Sequence, residues 1–145
     1  MVSYILIILA AILNSAMDVI SFHYSTSIFS KYNPQLFDPS ISWTNKYIDH
    51  DPKKGMRKWF FGLFDIPVAL TDAWHLFKSS MVILVISCAA FYQPFVGELL
   101  CRDLAITNNL MYILVRVVDI IIMGTLWNCT FSLCFNHLLV ASKKS

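Results

Sequence analysis

Three stretches of this chain are apolar over lengths that match a lipid bilayer. The first, about residues 2–23, carries Asp18 as its one charged side chain. At 1.5 Å per residue, about 21 residues reach roughly 30 Å, the thickness of a hydrocarbon core. The second, about residues 65–92, opens on Asp65-Ile66-Pro67, which reads as a helix start with Asp as N-cap and Pro in the first turn. It runs through an apolar half, Met81 to Ala90, to a stop at Gln93-Pro94. The third, about residues 106–140, has no Pro and one Gly, Gly124. Splitting it there would leave a second half barely able to cross, so one long tilted helix is expected.

Composition excludes the soluble alternative. Hydrophobic residues make up 57% of the 145 and charged residues 14%, against roughly 25% charged in water-soluble domains. A small domain leaves too much area exposed to hide that apolar surface. The net charge of +2 is too small for a nucleic-acid footprint, so no nucleic-acid partner is expected. The fold class is therefore all-α: an integral membrane protein with three transmembrane helices and the bilayer as its solvent. The start Met-Val-Ser-Tyr lacks Lys and Arg, and no small-x-small cleavage site follows the apolar run. A retained span is expected there rather than a cleaved signal peptide.

Charge orients the spans. The loop at about residues 31–61 holds Lys31, Lys46, Lys53, Lys54, Arg57 and Lys58, and the tail adds Lys143 and Lys144. The opposite side, with a short connection at about residues 93–105, holds Arg102. Eight cations against one place the N-terminus outside and the tail in the cytoplasm, as in a bacterial inner membrane. Trp43, Tyr47 and Trp59 beside Lys and Arg mark the long loop as a membrane-surface segment. Pro34, Pro39, Pro52 and Gly55 break it into short helices or turns. Cys88, Cys129 and Cys134 fall within spans and read as small apolar packing residues; no Cys-x-x-Cys occurs.

Ionisable groups at membrane depth cost several kcal/mol each, so each implies a partner or a role. Asp18 and His23 lie near the inner end of the first span, Asp65, Asp72, His75 and Lys78 in the inner half of the second, and Asn136 and His137 near the inner end of the third. Asp72 and His75 share a face at i, i+3, and Asp65 and Ser79 extend that stripe. His23 joins Asp18 only if the first helix ends or unwinds there. Asp18, His23, Asp72 and His75 are thus candidate acid–base groups. They are also candidate ligands for a divalent metal such as zinc, because imidazole and carboxylate are both ligand types for it. The alternative is structural, with Asp72 and His75 pairing with Lys78, Lys46 or Arg57. Arg116 and Asp119, three apart and deeper, read as an intramembrane ion pair. His50, between Asp49 and Asp51, reads as a solvated loop residue. No Gly-rich phosphate loop, Gly-x-Ser-x-Gly elbow or His-Glu-x-x-His occurs.

Two strings, Ser42-Trp43-Thr44-Asn45-Lys46-Tyr47 and Thr71-Asp72-Ala73-Trp74-His75-Leu76-Phe77-Lys78, stand together with Asp18, Phe22-His23-Tyr24 and Ser27-Ile28-Phe29. Over roughly residues 14–80 the chain thereby resembles a group of small multi-pass membrane proteins of bacteria and their phages that has no assigned activity. The resemblance implies that Trp43, Asn45, Lys46, Asp72, Trp74 and His75 belong to one shared site, and it supplies no reaction. Three readings follow. In the first, a site at the cytoplasmic leaflet acts on a lipid-borne or anionic substrate, bound by Trp43, Asn45, Lys46, Arg57 and Trp74. In the second, the chain is a structural or regulatory subunit, homo-oligomeric or part of a larger membrane complex. In the third, Arg116, Asp119 and Asn128 line an ion or proton path.

Overall fold

In a computed structural model, which describes residues 1–95 and 109–140, three long helices form one bundle. They are α1 (Val2–His23), α3 (Ala73–Ala90) and α4 (Asn109–Leu133), with a short α2 (Pro34–Phe37) in the loop between the first two. Each long helix is apolar and long enough to cross a bilayer, and the chain is an all-α, multi-pass membrane protein. The connection carrying Glu98, Cys101, Arg102 and Asp103, and the tail with Lys143 and Lys144, lie outside the described residues.

α1 is the central helix and packs against both of the others. Its inward face is built from small side chains, with Ala10, Ala11, Ser15 and Ala16 buried. Lipid tails are as apolar as a helix face, so membrane helices associate by close backbone approach, which small residues permit. The outward faces of α3 and α4 carry Ile83, Ile86, Ile120 and Ile121, all exposed, as lipid contact requires. Ser3 ties the far end of the pair: its hydroxyl donates to the Phe91 carbonyl at 3.0 Å, and the Cys88 thiol donates to the Ser3 carbonyl at 3.4 Å. α4 continues beyond Leu133 as a widened π turn, Cys134–Leu139, giving a continuous 31-residue span. Gly124 lies inside it without a break.

The second span differs from its sequence reading at the N-terminal end. Asp65 does not start a helix. Phe64–Asp65 forms strand β2, paired antiparallel with β1 (Lys58–Trp59), and Asp65 bonds Lys58 at 2.7 Å. A one-turn 3₁₀ helix, Val68–Leu70, follows Pro67, and α3 starts at Ala73 with Asp72 as its N-cap. The reason is local: a residue before Pro is biased to extended backbone, which takes Ile66 away from helix, while Asp72 supplies the capping oxygen. The shortened helix of 18 residues still reaches about 27 Å.

The loop end is closed by a core of Ala16, Val19, Ile20, Phe29 and Ala73, against which Phe37, Trp74, Phe77, Phe135 and Leu139 pack. Phe29 stacks on Phe37 at 5.4 Å, and Ser27 bridges to Val140, so the loop, α1 and the end of α4 are joined there. The β1–β2 hairpin projects from this body. Its turn carries positive φ at Phe60 (48°), Phe61 (57°) and Gly62 (81°), and the Leu63 amide donates to the Phe60 carbonyl at 3.2 Å. Only glycine adopts such backbone freely; for the two Phe residues it costs on the order of 1 kcal/mol each.

The close α1 interface yields a paired prediction. Ala11, fully buried, has no room for added carbons, so Ala11→Leu is expected to destabilise by about 1–3 kcal/mol. The Ser15 hydroxyl is buried with no hydrogen-bond partner among the described residues. Ser15→Ala is therefore expected to leave stability unchanged or raise it. Thermal unfolding in detergent checks both, and a large loss in Ser15→Ala would contradict the packing described.

Candidate functional site

Asp72 is the centre of the polar contacts at the loop end. Its side chain is 3% exposed, and both oxygens are engaged. Oδ1 accepts from the His75 amide at 2.9 Å, the N-cap bond that satisfies one of the helix's orphan donors. Oδ2 lies 2.7 Å from His75 Nδ1 and 3.2 Å from the Thr71 hydroxyl. An ionised carboxylate only accepts, so the ring proton sits on Nδ1. In the neutral ring this leaves the Nε2 lone pair for a ligand or a proton. The same residue thus starts the helix and orients the imidazole.

His75 faces a cleft of about 180 Å³ lined by Ser21, Pro39, Ser42, Trp43, Trp74 and Asp72. The Trp74 ring stands edge-on to the His75 ring, 4.9 Å between centroids, and Lys78 Nζ lies 4.8 Å from the Trp74 ring. Trp43 is held by its indole N–H, which donates to the Ser40 carbonyl at 3.1 Å, and packs edge-on to Tyr47. Asn45, buried, fastens the loop to this site: its amide donates to the carbonyls of Thr71, at 2.8 Å, and Gln35. Arg57 Nη1 donates weakly to the Asn45 carbonyl at 3.5 Å, and the Arg57 amide bonds the Lys46 carbonyl. Lys46 extends its own amine over the Tyr47 ring.

The structure therefore gathers Trp43, Asp72, Trp74 and His75 around one cleft. Asn45 is tied to it through the Thr71 carbonyl, and Arg57 bonds the Asn45 and Lys46 carbonyls along the loop, with neither Arg57 nor Lys46 lining the cleft. It does not gather the four-residue metal set. α1 does end at His23, yet the His23 ring packs edge-on to Phe135 at 5.2 Å, on the α4 side. Asp18 is half-buried on α1. Among the described residues, no three His, Cys, Asp or Glu side chains converge as a metal site. Asp65 leaves the stripe for the hairpin. Of the expected constellation, Asp72 and His75 are the pair in contact.

A second polar site lies toward the other end of the bundle. Asp119 is fully buried, and the hydroxyls of Tyr4 and Tyr92 donate to it, the latter at 3.3 Å. Arg116 bonds the Tyr112 hydroxyl and lies over the Tyr112 and Tyr92 rings. Tyr92 thus stands between the two charges, its hydroxyl toward Asp119 and its ring against Arg116. No local sequence spacing links Tyr4 or Tyr92 to Asp119. Ser21, Pro39 and Ser42 were likewise not legible as cleft residues, because three chain segments bring them together.

Comparisons with protein-family models, curated proteins and solved structures return no match to this chain. The site is defined by its own geometry.

Two roles of Asp72 can be separated. Asp72→Asn keeps a good N-cap and is expected to change thermal stability little, while Asp72→Ala loses the cap and about 1 kcal/mol. Asn45→Ala takes the donor from the buried Thr71 carbonyl and from the Gln35 carbonyl, and is expected to cost about 1 kcal/mol, since it also removes the unsatisfied Asn45 Oδ1. Unfolding curves of the three variants check this; equal losses in Asp72→Asn and Asp72→Ala would contradict the cap.

Proposed function

We propose that this membrane protein carries an acid–base site at the loop end of its helices, in which Asp72 and His75 move a proton on a small lipid-borne or anionic substrate held in the aromatic cleft. The observation that carries the reading is the carboxylate on Nδ1 of an imidazole that lines a cleft. A buried carboxylate fixes the tautomer and stabilises the imidazolium that forms when Nε2 takes a proton. The flanking Trp43 and Trp74 offer apolar walls, and Lys46 and Arg57, on the same loop but outside the cleft lining, would have to swing toward it to meet phosphate or headgroup oxygens. The site would face the cytoplasm, with the N-terminus outside, since eight of nine cations outside the spans fall on the loop and tail side.

The second reading is a non-enzymatic membrane subunit, and it rests on the same carboxylate. Each contact of Asp72 also closes α3 and locks the loop onto the bundle. Under that reading the dyad is a joint, and the loop it fixes is the part a larger complex recognises.

Purified protein in mixed lipid–detergent micelles, offered phospholipids, chromogenic carboxyl esters and phosphodiesters, distinguishes the two. The acid–base reading expects turnover of at least one class, falling by about 10²–10⁴-fold in His75→Gln. It expects a similar fall in Asp72→Asn without a matching loss of thermal stability. Turnover that is unchanged in His75→Gln, or absent from every class, overturns it and leaves the subunit.

A further inference from the structure

The β1–β2 hairpin presents five large apolar side chains to its surroundings: Trp59, Phe60, Phe61, Leu63 and Phe64, with Phe61 95% exposed at the tip. None of them belongs to the hydrophobic core at the loop end. Phe60 touches the rings of Trp59, Phe61 and Phe64, so the tip is an aromatic cluster of its own. Phe60, Phe61 and Gly62, three of the four residues between the paired Trp59 and Phe64, all have positive φ. For Phe60 and Phe61 that backbone is strained. Strain retained at such a place is a sign of use.

We infer that this hairpin is a finger that inserts into the headgroup layer of an anionic lipid surface, beside the point where α3 enters the bilayer. Three observations select the lipid over a second copy of the chain. The first is tether length: residues 66–72 separate the hairpin from α3, so its base stays within about 25 Å of the span's start. The second is shape. A convex tip of five side chains lacks the area of a stable protein interface, which needs about 800 Å² on each partner, but it fits between headgroups. The third is charge. Lys54 and Lys58 are paired with Asp49 and Asp65, whereas Arg57, at the base of the hairpin, and Lys53, in the turn before it, are exposed. Aromatic rings at headgroup depth with cations behind them are the pattern of an anionic interface. The finger would hold the loop, and with it the cleft of Trp43 and His75, at the level of the lipid surface. The inference rests on the membrane location of the helices and stands whether or not the dyad catalyses a reaction.

Photo-crosslinking tests it in the full chain reconstituted into nanodiscs of phosphatidylcholine mixed with phosphatidylglycerol. p-Benzoylphenylalanine is placed at Phe61, at Phe64, at Lys54, and at Ile120 on the exposed face of α4 as a control for bilayer insertion. Phospholipid adducts are expected at positions 61, 64 and 120, and none at 54. The yield at 61 is expected to rise with the phosphatidylglycerol fraction and to fall in a Lys53→Gln background. Chain-to-chain adducts at 61, or no lipid adduct at 61 and 64 while position 120 gives one, overturn the finger. Equal yields at 61 in pure phosphatidylcholine overturn the assignment to anionic lipid.

Discussion

A helix that enters a membrane must satisfy its first amides before it leaves water, because lipid offers them no partner. In α3 that condition is met by Asp72, and much of the loop end follows from it. The carboxylate that accepts from the His75 amide also holds the His75 ring. Thr71 beside it receives Asn45 from the loop, so the cap is the point where loop and bundle are joined. Had the helix started at Asp65, Asp72 would sit mid-helix with its oxygens turned to a side face, and the dyad would lack its second bond.

The bundle separates its polar residues into two places with different partners. At the loop end the carboxylate is shared with an imidazole that faces a cleft. Toward the other end, Asp119 is enclosed by α1, by the segment after α3 and by α4, through Tyr4 and Tyr92. Phenol hydroxyls suit a buried carboxylate because they donate without bringing a second charge into lipid. The Arg116 guanidinium finds rings instead, a contact that tolerates low dielectric. The first site borders a cleft, and the second joins three chain segments through hydrogen bonds.

Legibility followed the range of the interactions. The three spans, the short turns of the loop and the i, i+3 relation of Asp72 to His75 are local, and spacing shows them. The start of α3 was also within reach: Asp72, directly before Ala73, is a good N-cap candidate. The Asp65-Ile66-Pro67 string outweighed it because the hairpin that captures Asp65 depends on Lys58 across the turn. His23 shows the opposite limit. Its place at a helix end was foreseeable, while its ring partner, Phe135, lies at the end of another helix, and nothing in residues 14–80 specifies it.

By itself the sequence determined the solvent of this protein, since its apolar stretches are too long and too poorly charged to be buried in anything but lipid. It determined the number of spans and the scarcity of ionisable groups within them. Tertiary structure decided which of those groups meet. Helix rotation is set by where small side chains such as Ala10, Ala11 and Ser15 let backbones approach, and that rotation sends His23 to Phe135 and Asp119 to two tyrosines. It leaves Asp72 and His75 together because their contact lies within one helix turn and needs no neighbour to form.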